Sequence, residues 1–354
     1  MEIMARIKKF GLVGRGGGCY PVASKWDSVK KAAGEKKYVV CNGSEGEPGV
    51  EKDNYILANY SDKLIEGIRL ALDYLRENGR VEVFGYIYLN DEFYKKYSKS
   101  LNEKIASLNL PISLFCKPHI GGYIGGEETS LLNAIEGRRI EPRLRPPYPN
   151  TFGLWGHPTI INNVETFYNV SLVNEEKFEN KRFYTIRGDS LWTGVFDLPD
   201  SMSIEQVLKQ TKNYPDFPFF VQVGGEGSGV VLNSDQLNMP ASGCASITIY
   251  SVQKHQPIEL LKKWVDFFSS ESCGQCVPCR EGTYRLKEIF YSGKINWTLV
   301  SELLSNLSDA SLCGLGCAVP IPIASFIKNV APLYGDQSLS LPEENRKMIC
   351  ECFG

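Results

Sequence analysis

Along the first part of the chain, short β-branched apolar runs alternate with longer stretches of helical period. The runs at 37–41 (Lys-Tyr-Val-Val-Cys), 81–88 (Val-Glu-Val-Phe-Gly-Tyr-Ile-Tyr) and 112–116 (Ile-Ser-Leu-Phe-Cys) have the length and composition of buried strands. Between them, Leu64, Ile68, Leu72 and Leu75 recur at helical spacing and predict an amphipathic helix that Gly79 ends. A second helix is expected over about 91–107, and a third over 130–136 (Ser-Leu-Leu-Asn-Ala-Ile-Glu). Strand–helix–strand alternation predicts an α/β, Rossmann-like parallel sheet covered by helices.

The pattern breaks near 175–182, where the chain is charged and aperiodic. Beyond the break, strands are expected over 183–187, around 193–196 and over 219–223, with a short helix at 203–208. Short strands around one helix predict a small ubiquitin-like β-grasp module. From about 256 the apolar period turns helical, over 258–268, 284–291, 298–307 and 323–330, which predicts a helical bundle. The expected domains are therefore 1–180 (α/β), 181–253 (β-grasp) and 254–354 (helical).

Composition narrows the function classes. The chain has 354 residues, 43% of them hydrophobic, enough for two or three cores. A net charge of −2 gives no reason to expect nucleic acid or an anionic membrane as partner. The amino terminus shows no apolar signal region, and no run approaches the 18 apolar residues of a membrane span. Eleven cysteines in a chain of this kind suggest metal ligands and reduced thiols, in a cytoplasmic setting.

Three glycine-rich loops and one thiol-rich loop carry the candidate chemistry. Residues 14–18 (Gly-Arg-Gly-Gly-Gly) precede 19–26 (Cys-Tyr-Pro-Val-Ala-Ser-Lys-Trp), so backbone N–H groups and Lys25 can converge on a phosphate; a plain turn is the alternative. The loop at 42–49 (Asn-Gly-Ser-Glu-Gly-Glu-Pro-Gly) follows the first expected strand, where open α/β sheets bind ligands. A third glycine loop at 121–129 ends in Glu127 and Glu128, which also suit the start of a helix. The proline-rich run at 143–149 holds Arg145 and Tyr148, and 159–166 places Asn162 and Asn163 at an expected helix start, where Asn is also an ordinary cap.

The thiol loop at 271–282 reads Glu-Ser-Cys-Gly-Gln-Cys-Val-Pro-Cys-Arg-Glu-Gly, with two residues between Cys273 and Cys276 and two between Cys276 and Cys279, and Cys313 distant in sequence. A [4Fe–4S] cluster takes one thiolate per iron, three from such a loop and one from elsewhere. Zinc more often uses two separated Cys-x-x-Cys pairs, and unligated structural cysteines are the third possibility.

In this order the motifs resemble the NADH-binding FMN/[4Fe–4S] flavoprotein subunits of respiratory complex I and of NAD-linked hydrogenases and formate dehydrogenases. The resemblance runs from about residue 14 to about 328. It implies that Gly14, Gly16, Gly18, Lys25, Asn42, Glu45, Gly126, Glu127, Asn162 and Asn163 hold FMN. It implies that Tyr20, Glu47, Glu128, Arg145 and Tyr148 meet NAD(H), with Glu47 disfavouring the 2′-phosphate of NADPH. It implies Cys273, Cys276, Cys279 and Cys313 as cluster ligands. Hydride would pass from NADH to the flavin and electrons singly through the cluster to other iron–sulfur subunits, among them a small thioredoxin-like [2Fe–2S] subunit, so no catalytic side chain is required.

The sequence departs from that family in places. Ser44 stands where an Asp is usual, Ser28 where an aromatic is usual, and Cys19 where a glycine is usual. Cys317 is a rival fourth ligand, and Cys350 and Cys352 have no counterpart. The segment before the glycine loop is short. These departures motivate an alternative, a related electron-transfer flavoprotein with a drifted nucleotide site, NADPH-linked or exchanging electrons only with proteins. A scaffold that binds no flavin is the reading of a different class.

Overall fold

The computed structural model describes residues 2–76, 81–241, 243–335 and 339–353. Gly79, expected to end a helix, lies outside the described residues, as do the side chains of Cys350 and Cys352. The chain forms two compact units: one from 1–46 and 51–179, the other from 47–50 and 180–354.

In the first unit four parallel strands, β1 (Lys36–Gly43), β2 (Glu82–Leu89), β3 (Ile112–Cys116) and β4 (Thr159–Asn163), lie in the order β3-β2-β1-β4. Among the described residues, seven α-helices accompany them: α1 (Ile3–Phe10), α2 (Val22–Lys31), α3 (Lys52–Asn59), α4 (Ser61–Arg76), α5 (Asp91–Ser107), α6 (Glu128–Ile135) and α7 (Val164–Asn174). Tyr38 and Val40 pack with Leu131 and Leu132 of α6, while Val39 and Cys41 are buried on the opposite face. A parallel sheet covered on both faces explains why the centre of β1, residues 38–41, is apolar and buried without alternation. Gly67 of α4 is required because a Cβ there would stand 1.9 Å from the Phe167 carbonyl oxygen of α7.

Strand order fixes the site. From β1 the chain moves outward to β2 and β3, then returns to β4 on the other side of β1. The reversal leaves a switch point at the carboxyl ends of β1 and β4, where Cys41 faces Asn162 and Asn42 faces Asn163. Sequence periodicity takes 159–166 for a helix start only; Thr159–Asn163 is in fact a strand, and the helix begins at Val164 with Asn163 as its cap.

In the second unit β5 (Lys181–Gly188), β6 (Gly194–Pro199), β7 (Phe219–Val223), β8 (Val230–Asn233) and β9 (Ser246–Ser251) form a sheet in the order β6-β5-β9-β7-β8, with β5 and β9 parallel and α8 (Ile204–Gln210) packed on it. This is the order of a ubiquitin-like β-grasp sheet, with two strands, β8 and β9, that periodicity does not mark. The helices that follow are α9 (Pro257–Glu271), α10 (Val277–Tyr291), α11 (Trp297–Ala310), α12 (Gly314–Ala318), α13 (Pro320–Asn329) and α14 (Glu343–Phe353). They join the sheet through a common core: Phe326 of α13 packs edge-on against Phe220 and Trp264, and Trp264 donates its indole N–H to Gln222 Oε1 of β7. Sheet and helices thus share one compact unit, where the sequence suggests two separate domains.

Candidate functional site

In the first unit the glycine loop closes on itself through an isolated bridge between Val13 and Pro21 and a hydrogen bond from Gly14 N–H to the Tyr20 carbonyl, 2.9 Å. It then feeds α2. Gly17 adopts φ 103° and Cys19 φ 46°, so the loop uses the left-handed region twice, once without glycine. A Cβ on Gly16 would stand 3.1 Å from Asn163 Cβ, whereas a Cβ on Gly18 would meet nothing within 4 Å.

Gly18 opens onto a cavity of about 550 Å³ whose lining includes Tyr20, Lys25, Glu128, Arg145, Tyr148 and Asn150. Such a volume lies in the usual range for cofactor and small-ligand pockets. Its charges are arranged as two cations around an acidic pair. Lys25 Nζ donates to the Ile161 carbonyl at 3.0 Å and stands 3.5 Å from Glu128. Arg145 pairs with Glu128 at 3.2 Å and with Glu127. Tyr20 and Tyr148 are more than half exposed, so their ring faces are available for stacking. Six expected residues, Gly18, Lys25, Tyr20, Glu128, Arg145 and Tyr148, therefore meet at one cavity. Asn150, Thr159 and Ile161 line it as well, and sequence reasoning missed them. Asn150 donates to Ser28 Oγ at 2.5 Å, so Ser28 braces the cavity wall from the position where an aromatic is usual.

The remaining expected FMN residues hold the strand ends. Asn42 Nδ2 donates to the Gly126 carbonyl, 2.8 Å, and its Oδ1 accepts from Ser44 N–H. Asn162 Oδ1 accepts the buried Trp26 indole N–H, 2.9 Å. Glu127 caps α6, its Oε2 accepting from Thr129 N–H and Ser130 N–H. Glu45 does the same for α3: its two oxygens accept from Asp53 N–H (2.6 Å) and Asn54 N–H (3.0 Å). Burial, followed by the charge of Asp53, pushes the Glu45 carboxyl up to about 8.

Beneath these residues lies a buried ionic network the sequence did not reveal. Lys52 Nζ stands 2.7 Å from Asp53, 3.3 Å from Glu165 and 2.8 Å from Asn163 Oδ1, with Lys52, Asp53 and Glu165 all essentially without solvent exposure. Ser44, which lacks the carboxylate usual at its position, accepts from the buried Lys117 amine at 3.0 Å. Glu47 belongs to the second unit. There its carboxylate accepts from Gly227 N–H, Ser228 N–H and Ser228 Oγ at 2.8–3.0 Å.

The thiols are also in the second unit. Cys273 lies between α9 and α10, Cys276 immediately precedes α10, Cys279 sits in its first turn, and Cys313 immediately precedes α12. Arg280 braces the loop by donating to the Gly274 carbonyl, 2.9 Å. The Cys279 thiol is pushed up to about 11, first by burial, and it also feels Cys276, Cys313 and Cys273. Cys317 is raised by burial and feels Cys276, and its thiol donates to the Ser311 carbonyl at 3.7 Å. Cys313 and Cys317 thus each stand near the loop thiols, Cys313 acting on Cys279 and Cys276 on Cys317. Among the described residues no three His, Cys, Asp or Glu side chains gather closely enough to hold a single metal ion. Thiolates on one zinc stand about 3.8 Å apart; a four-iron cluster with one thiolate per iron spreads its ligands wider. Thiolate ligands at helix amino termini also suit such a group, because the macrodipole favours negative charge there.

A parallel-sheet unit with a glycine-loop cavity, in one chain with a helical region carrying a Cys-x-x-Cys-x-x-Cys loop, is the build of an iron–sulfur flavoprotein. Residues 7–172 match the family described as the Nuo51 FMN-binding domain, and residues 259–337 the NADH-ubiquinone oxidoreductase-F iron-sulfur binding region. The chain is 31% identical to the F subunit of the NADH-quinone oxidoreductase of Aquifex aeolicus, over 96% of this chain and 88% of that one. It is 34% identical to the corresponding F subunit of Buchnera aphidicola over 79% of this chain and 70% of the relative. It is 29% identical to the HndC subunit of the NADP-reducing hydrogenase of Solidesulfovibrio fructosivorans, over 94% and 75%. Among solved structures, a chain of an NAD+-reducing [NiFe]-hydrogenase superposes with a TM-score of 0.83 at 27% identity; the match covers 99% of this chain and 62% of that one. The chain belongs to the family of NADH-quinone oxidoreductase F subunits, the FMN- and [4Fe–4S]-bearing flavoproteins of multi-subunit redox complexes. Among the described residues no helix is long and apolar enough to cross a membrane.

Proposed function

We propose that this chain is the NADH-oxidising flavoprotein of a multi-subunit redox complex, accepting hydride from NADH and passing electrons singly to other iron–sulfur subunits. The observation that carries this reading is the cavity in which Gly18, Lys25, the two exposed tyrosines and the Arg145–Glu128 pair converge. FMN, when bound, supplies the conversion between two-electron and one-electron chemistry.

The chain's own residues bind and orient. Loop 14–18 admits the phosphate close to the backbone, and Lys25 supplies a point charge beside it. Asn42, Gly126, Asn162 and Asn163 form a rigid floor at the strand ends, made so by the hydrogen bonds that each of the three asparagines makes. Tyr20 and Tyr148 offer faces to a nicotinamide or adenine ring, and Arg145 can exchange a carboxylate partner for a pyrophosphate. Cys273, Cys276, Cys279 and Cys313 hold the cluster. A small thioredoxin-like [2Fe–2S] subunit is the expected neighbour, and the cytoplasm the expected compartment.

The similarity to the HndC subunit of an NADP-reducing hydrogenase, together with Ser44 and Ser28, favours one second reading, an NADPH-linked site. An anaerobic visible titration of the flavin-loaded protein separates the two. Bleaching near 450 nm by NADH and far less by NADPH supports the first reading; preferential bleaching by NADPH overturns the specificity. A flavin unmoved by either nucleotide contradicts both.

A further inference from the structure

One serine hydroxyl meets Cys279, and a second lies beside the same turn. Ser272, at the end of α9, has its Oγ 3.2 Å from Cys279 Sγ, and the same oxygen accepts from Gly274 N–H at 3.4 Å. With a backbone donor occupying the oxygen from one side, the hydroxyl proton is free to point at sulfur. Ser311, at the end of α11, has a buried hydroxyl with no hydrogen-bond partner among the described residues. It lies on the same side of Gly316 as Cys279: a Cβ on Gly316 would stand 2.3 Å from Ser311 Oγ and 3.2 Å from Cys279 Cβ. A buried hydroxyl without a partner is uncommon in native proteins and needs an explanation.

We propose that the Ser272 and Ser311 hydroxyls donate hydrogen bonds into the sulfur shell of the cluster, Ser272 to Cys279 Sγ, and thereby raise its reduction potential. The proposal rests on the cluster assignment above. Once Cys279 is a thiolate ligand it has no proton to give, so Ser272 must be the donor. One-electron reduction places one more negative charge on the cluster; no covalent bond forms or breaks, each hydroxyl proton stays on its oxygen, and the electron comes from NADH through the flavin. Hydrogen bonds to the sulfurs therefore favour the reduced form. Ser272 and Ser311 are positioning residues, acting through the ligand sulfur and not on NADH.

The test is an EPR-monitored redox titration of the full chain, anaerobically reconstituted with iron, sulfide and FMN, as wild type and as Ser272→Ala, Ser311→Ala and Ser272→Thr. The alanine variants should keep the four-iron signal and the wild-type flavin midpoint. At the wild-type cluster midpoint, the ratio of reduced to oxidised cluster should fall about three- to tenfold per hydroxyl; tenfold is 59 mV for a one-electron couple. Ser272→Thr should restore it. A cluster midpoint unchanged in both alanine variants overturns the inference while leaving the cluster assignment standing. Pulsed EPR of the reduced wild type after exchange into D₂O gives an answer that needs no variant. Exchangeable deuterons coupled to the cluster are expected; their absence overturns the inference. A wild type that shows no four-iron signal would overturn the cluster assignment itself, and the inference with it.

Discussion

Asn163 and Asn42 face each other across β4 and β1 at the switch point of the parallel sheet, and Asn163 Nδ2 donates to the Asn42 carbonyl at 3.3 Å. The same amide group donates to Asp53 at 2.6 Å, while Asn163 Oδ1 accepts from Lys52 and from Glu165 N–H. One side chain thus caps α7, ties two strands together and closes the buried ionic network. The neighbouring Gly16 loop rests directly on it. Pocket floor and buried charge are one construction, so substitutions below the floor should be felt above it.

Lys52 should be essential to that construction. Replacing it, as in Lys52→Met, leaves Asp53 and Glu165 buried without their cation, and breaking a buried ion pair costs about 3–5 kcal/mol. The urea midpoint of the first unit's unfolding transition should fall accordingly. A midpoint matching the wild type would show that the network carries no stabilisation.

Lys25 should matter to flavin binding more than to folding. Its amine is part-exposed at the cavity, bonded to one carbonyl and near one carboxylate. Loss of one charge-assisted contact to a phosphate, worth about 1.5–3 kcal/mol, predicts roughly 10- to 100-fold weaker FMN binding in Lys25→Ala. Quenching of flavin fluorescence on binding measures it, and the melting temperature of the flavin-free protein should stay close to wild type.

Glu45 should give stability a pH dependence of unusual sign for a carboxyl. Its value in the folded protein, about 8, lies above the ordinary 4.5, raised first by burial and then by Asp53, with Lys52 opposing. Between pH 4.5 and 8 the folded protein holds a proton that the unfolded chain has lost. The stabilisation is therefore complete below the lower value and declines as pH rises through the upper one. Glu45→Gln should flatten the dependence of the urea midpoint on pH across this window. An unchanged slope would mean that Glu45 is ionised throughout.

Cys313 and Cys317 should separate cleanly. Cys279 feels the charge of Cys313 together with those of Cys273 and Cys276, while the Cys317 thiol is bonded to the Ser311 carbonyl. Cys313→Ser should lose most of its four iron atoms after reconstitution, and Cys317→Ser should retain them, as determined by iron analysis and EPR. The reverse pattern would transfer the fourth ligand to Cys317.

The parts of this molecule legible in its sequence are those whose chemistry is local. Helix α5 and strands β3 and β7 lie where apolar period and β-branching place them, and the thiol loop gathers three cysteines within seven residues. What escaped depends on distant partners. Strand β4 carries only two apolar residues in five, because Thr159 and Asn162 are buried polar groups satisfied by Leu154 N–H and the Trp26 indole. Strand β9 is buried along its whole length, yet its serines and threonine break the apolar run by which a buried strand is recognised. Lys52 resembles a surface lysine until Glu165 and Asn163, more than a hundred residues away, are brought beside it. Glu45 shows the opposite case. Its place in a glycine-rich loop suggests a carboxylate directed at ligand, whereas its oxygens cap the helix that carries Lys52.

The central claim is that NADH reduces the flavin and the flavin reduces the cluster within this one chain. The most direct test is rapid-freeze EPR of the reconstituted protein mixed anaerobically with NADH, with flavin absorbance followed in parallel. The account predicts prompt flavin bleaching and a [4Fe–4S] signal that grows as the flavin reoxidises, both lost in Lys25→Ala at flavin concentrations below its weakened affinity. A bleached flavin with a cluster that stays oxidised, although dithionite reduces it, would contradict the account.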